Sequence, residues 1–119
     1  MVDRTMIRLL VEDQSVLSAL RFSLSIEGFE VADGNAAEID PLATAALVID
    51  ERYSGDGLAA LEALRTQRCR APAIVLATNP TARLRARIAA MDAQLIEKPL
   101  LGDELSRAIR AAFEIRKAA

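Results

Sequence analysis

Five short, mostly apolar segments alternate along the chain with longer ones in which apolar residues recur every three or four positions. MIRLLV (6–11), FEVA (29–32), ALVID (46–50), AIVLAT (73–78) and QLIE (94–97) are of the first kind, several of them rich in Val or Ile. They predict strands buried on both faces, as in a parallel sheet. The second kind carries Val16, Leu20 and Leu24 with Leu17 beside them, then Leu58, Leu61 and Leu64, then Leu84, Ile88 and Met91, then Leu105, Ile109 and Phe113. That spacing predicts amphipathic helices.

Start and stop signals agree with the pattern. Gln14 or Ser15 opens the first helix and Gly28 closes it. Asp56 and Asp103 are N-cap candidates for the third and last helices. Arg116 and Lys117 suit the negative end of the last one. The second helix is the weak one. Only GNAAEIDPLATA separates the second strand from the third, and Pro41 interrupts it, so one or two turns are expected. Five strand–helix units predict an α/β fold: a (βα)5 doubly wound, five-stranded parallel sheet, flavodoxin-like, in the order 2-1-3-4-5. Such a sheet places its ligand crevice at the carboxyl ends of strands one and three. One domain spans residues 1–119.

Composition narrows the function. The chain has 119 residues, 52% hydrophobic and 27% charged, which suits one globular domain. Aromatics are 3% with no Trp, so the core is aliphatic. The formal charge of −2 argues against a nucleic-acid partner. No apolar run approaches the roughly 20 residues that span a bilayer, and MVDRTMIRLL is not a signal peptide. A soluble cytoplasmic protein is expected. There is no His, which removes Ser-His-Asp triads and the usual zinc sites, and it leaves Cys69, the single cysteine, a spectator thiol.

The strand ends carry the chemistry. Strand one ends in Glu12-Asp13, strand three in Asp50, strand four in Thr78, and strand five in Glu97-Lys98-Pro99. A parallel sheet gathers all of these on one edge. Close carboxylates repel one another and favour a hard divalent cation such as Mg2+. Beside a lysine and a hydroxyl, that is a site for phosphoryl groups, and a carboxylate can itself be the nucleophile.

In this order the residues resemble the receiver domains of two-component response regulators, and the similarity covers essentially the whole chain. The resemblance implies that Asp50 accepts a phosphoryl group from a histidine kinase or a phosphotransfer protein. It implies that Asp13, Asp50 and the main-chain carbonyl of Arg52 ligate Mg2+, with Glu12 helping through water. Lys98 would pair with the phosphoryl oxygens and Thr78 would hydrogen-bond to one. The Lys98–Pro99 bond would be cis. The chain ends soon after its last helix, so a stand-alone receiver without an output domain is expected. It would be no enzyme beyond its own phosphorylation and dephosphorylation, and it would act on an unidentified downstream protein, with a homodimer left open.

Three features depart from the family pattern. The loop after Asp50 looks one residue short, with Ser54 where proline is common. Leu95 stands three before Lys98, where an aromatic usually swings inward. The segment between Thr78 and Lys98 and the second helix look shortened. These departures motivate the alternative of a pseudo-receiver, the same fold used as an interaction module without phosphorylation. A small phosphatase or phosphotransfer enzyme lacks a second catalytic acid, since Glu51 should face away from Asp50. GDGLAA (55–60) fits a variant of the dinucleotide fingerprint, but it follows the third strand, with no acidic residue about 20 positions on. Its glycines are expected to shape the loop. Arg65, Arg68 and Arg70, with Arg83, Arg85 and Arg87, are expected on solvated helix faces and loops, a docking role for the fourth helix being the lesser alternative.

Overall fold

Thr44–Asp50 is an unbroken run of buried residues, and it forms the central strand of the sheet. The computed structural model describes residues 6–33, 44–98 and 103–118, with side chains as far as Phe113. The elements run β1 (Met6–Leu10), α1 (Gln14–Ile26), β2 (Glu30–Asp33), β3 (Thr44–Asp50), α2 (Gly57–Thr66), β4 (Ala73–Ala77), α3 (Ala82–Ala90), β5 (Gln94–Glu97) and α4 (Glu104–Ala118). A single 3-10 turn, Tyr53–Gly55, joins β3 to α2. The expected short second helix falls on residues 34–43, outside the described residues, so α2, α3 and α4 are the third, fourth and fifth helices of the sequence pattern.

All the strands pair in parallel, in the order β2-β1-β3-β4-β5. Alternate residues of β3 serve two cores. Ala46 and Val48 join Leu17, Leu20 and Leu24 of α1 and Leu105 and Ile109 of α4. Leu47 and Ile49 join Leu58, Leu61 and Leu64 of α2 and Ile88 of α3, with Cys69 sealed among them. Helices therefore cover both faces, and strands buried on both sides need apolar residues at every position.

The ends of the helices are set locally. Asp13 and Asp56 cap α1 and α2 with their side chains, each carboxylate accepting two backbone N–H groups, and Thr81 caps α3. Gly28, with φ of 95°, closes α1: its N–H donates to the Ser25 carbonyl, and the Phe29 N–H donates to that of Leu24. Beyond that turn Arg110 of α4 pairs with Glu27 at 3.1 Å and lies over the Phe29 ring, which meets Phe113 edge-on. These contacts fasten α4 to the end of α1. No helix among the described residues is long and apolar enough to cross a membrane.

Candidate functional site at the carboxyl edge of the sheet

The register brings the predicted strand ends together. Leu10 of β1 lies beside Ile49 of β3, Asp50 beside Leu76 of β4, and Ala77 beside Glu97 of β5. Just past this edge is a cavity of about 220 Å3 lined by Glu12, Asp13, Val16, Asp50, Arg52, Tyr53 and Lys98. Five of the predicted site residues thus share one wall.

Asp50 is 8% exposed at the floor of this cavity. Its Oδ2 takes a 2.6 Å hydrogen bond from Lys98 Nζ, and its Oδ1 accepts the N–H of Arg52 at 2.9 Å. A carboxylate so buried needs such partners. Lys98 is positioned by β5, and its own N–H donates to the Ala77 carbonyl at 2.8 Å.

The other two acids line the cavity while accepting hydrogen bonds from neighbouring backbone. Asp13 lines the cavity but turns Oδ1 to the N–H groups of Ser15 and Val16, so it is the N-cap of α1 as well as a wall of the site. Glu12 reaches across to the loop after β3 and accepts the Ser54 N–H at 2.7 Å. Among the described residues no group of three acidic, Cys or His side chains stands ready to hold a metal ion. The donor set nevertheless suits a hard cation: three carboxylates and the Arg52 carbonyl, all oxygen, around a polar cavity. That carbonyl already accepts the Gly55 N–H at 3.0 Å and keeps a second lone pair.

Two glycines shape the loop, as expected. Gly55 has φ of 87°. Gly57 begins α2 directly against the end of β3. A Cβ there would lie 2.2 Å from the Asp50 carbonyl oxygen, so only glycine allows the helix to start where it does. Ser54, just before Gly55, has φ of 52° and ψ of 31°. Proline is locked near φ of about −65° and cannot take that conformation, which accounts for the departure from the family residue.

Two predicted positions among the described residues lie off the cavity wall. Thr78 is exposed, one residue beyond the end of β4, which is a residue shorter than the sequence pattern suggested. Leu95 is half-buried and packs against the core beneath α2 and α3. The peptide to Pro99 lies outside the described residues. Sequence reasoning missed Tyr53 and Val16. Tyr53 is the single tyrosine, three residues past Asp50, and that proximity was the available signal.

The arginines divide. Arg83 is solvated, as expected. Arg65 is not: its Nη1 donates to the carbonyls of Cys69 and Ala71, and burial pushes its pKa down. Arg85 pairs with Glu97, and Arg87 makes a two-pronged contact with Asp56 at 3.1 and 3.3 Å. Arg87 holds the Asp56 carboxyl below its ordinary range, against a smaller opposing effect of burial.

Solved structures of the same shape exist. A CheY-like response regulator receiver domain protein from Methanospirillum hungatei superposes with a TM-score of 0.84 at 19% identity, covering 98% of each chain. The fold is that of response-regulator receiver domains. A second such receiver, from Clostridium thermocellum, gives 0.81 at 22% identity over 96% of this chain and 98% of its own. NtrX from Brucella abortus gives 0.83 at 24% identity over 95% of this chain but 28% of its own, so a receiver fold of this size also stands within a longer chain. No family model matches the sequence, and no curated protein matches it.

Proposed function

We propose that the chain is a phospho-accepting receiver of a two-component or phosphorelay system, with Asp50 as the acceptor. The observation that carries this is the placement of Asp50. It is the last residue of the central strand, at the floor of a carboxylate-lined cavity, with the Lys98 ammonium 2.6 Å away.

A carboxylate oxygen of Asp50 attacks the phosphorus of a donor phosphohistidine. The new O–P bond forms as the P–N bond breaks, and the imidazole leaves with the electron pair and takes up a proton. Lys98 keeps its positive charge beside the acyl phosphate and transfers its hydrogen bond to a phosphoryl oxygen. Thr78 turns in from the rim to donate to another. Asp13, Asp50 and the Arg52 carbonyl, with Glu12 through water, would hold Mg2+, which would supply charge neutralisation for the transferring group. Holding it would draw Glu12 away from the Ser54 N–H, and Asp13 would divide its oxygens between the cation and the α1 cap. The donor is a histidine kinase or phosphotransfer protein, the output a change in affinity for a downstream protein. In that role the protein works in the cytoplasm, and it modifies itself without turning over a separate substrate.

One observation favours a second role. Glu12, Asp13, Asp50 and Lys98 all have hydrogen-bond partners within the chain, as in a pseudo-receiver that works unmodified. Intact mass after incubation with Mg2+ and acetyl phosphate or phosphoramidate separates the two. Gain of one phosphoryl group, dependent on Mg2+ and absent in Asp50→Asn, is expected of the receiver. No adduct together with no Mg2+ binding identifies the pseudo-receiver.

A further inference from the structure

The loop between Asp50 and α2 is held at both of its ends. On the site side, Arg52 N–H is fixed to Asp50 Oδ1 and Ser54 N–H to Glu12 Oε1. On the far side, Asp56 grips Arg87 of α3 with both carboxylate oxygens while its Oδ1 caps α2. Tyr53, midway, lines the cavity and packs against the core that also receives Leu84 of α3 and Leu95 of β5. The same six residues therefore touch the acids of the site and the helix that lies over the β4–β5 edge.

We infer that in this chain the state of Asp50 is transmitted to α3 through this loop, by the Asp56–Arg87 pair. The inference rests on the phospho-acceptor role of Asp50. Leu95 is aliphatic and sits in the core, so a swinging ring at that position is not available to move α3. The loop supplies a substitute with two definite arrangements. In one, Ser54 is left-handed and bound to Glu12. In the other, Glu12 and Asp50 turn to a cation and a phosphoryl group, which frees the N–H groups of Arg52 and Ser54. Ser54 then has no hydrogen bond to hold its positive φ, and its relaxation carries Asp56 with it. Because Asp56 is tied to Arg87, α3 follows. Arg85 of the same helix is tied to Glu97 instead, at the end of β5, and so serves as an internal control.

The side chains of Arg87 and Asp56 are 42% and 46% exposed, which limits the coupling to about fivefold at most. The experiment is hydrogen exchange across residues 82–90 with and without acetyl phosphate and Mg2+, intact mass being recorded on the same samples. The native chain, Arg87→Gln, Asp56→Asn and Arg85→Gln are compared. Asn retains an N-cap, so α2 stays intact in that variant. The expected result is an exchange change in α3 of the native chain and of Arg85→Gln that shrinks about two- to fivefold in Arg87→Gln and Asp56→Asn, at equal phosphoryl occupancy. A full response in Arg87→Gln at equal occupancy overturns the inference and leaves the acceptor role standing. No adduct on the native chain removes both.

Discussion

The first residue of α2 and the last residue of β3 touch through their backbones: a Cβ on Gly57 would stand 2.2 Å from the main-chain oxygen of Asp50 and 3.0 Å from a methyl of Ile49. The Gly57 N–H also donates to the Glu51 carbonyl at 2.8 Å. Asp50 is therefore held from behind by a helix start that admits no side chain. Gly57→Ala is expected to cost about 3 kcal/mol, because backbone on both sides resists the overpacking. Urea denaturation measures the loss. Under conditions where the variant remains folded, its phosphoryl uptake should also fall, since relief of the clash displaces Asp50.

Ser54 offers a test in which the family residue is the harmful one. Ser54→Pro removes the N–H that Glu12 accepts at 2.7 Å and demands a negative φ where the chain has 52°. The expected cost is on the order of 3 kcal/mol. Ser54→Gly keeps the N–H and suits the backbone, so its stability should stay within about 1 kcal/mol of the native chain. A Ser54→Pro variant as stable as the native chain would show that the left-handed turn is not required.

Acid should weaken the tie between α3 and the loop. Arg87 holds the folded Asp56 carboxyl below its ordinary value of 3.8. A group lowered on folding contributes its full stabilisation above the unfolded value and loses it as pH falls through the folded one. The stability difference between the native chain and Asp56→Asn should thus be constant above about pH 5 and close below about pH 4. Denaturant midpoints across that range measure it. The difference will be small, since the pair is nearly half exposed, and a gap that widens in acid would contradict the assignment.

Much of this was legible in the chain itself, and the division has physical causes. Strands buried on both faces write themselves as continuous apolar runs, so β3 and β4 stood out, and the acids that end such runs stood out with them. Asp56 and Gly28 announced helix ends through local chemistry. What stayed hidden depends on residues distant in sequence. The Glu12–Ser54 and Asp56–Arg87 contacts span 42 and 31 residues, and no local pattern encodes them. Ser54 was seen as a substitution for proline, but its left-handed backbone was not. Arg65 looked like a solvated charge because the carbonyls it binds belong to an irregular loop with no sequence signature. Thr78 was placed at the wall by analogy of order. One residue less of strand leaves it on the rim.

Cys69 has a use unconnected with the acidic edge. It is 0% exposed and is the chain's single cysteine. A thiol reagent can reach it only when the core around it, between the sheet and α2, opens. Its labelling rate is consequently a gauge of breathing in that half of the molecule, and it needs no introduced probe. Recorded with and without a phosphodonor, it would tell whether events at Asp50 loosen or tighten that core as a whole.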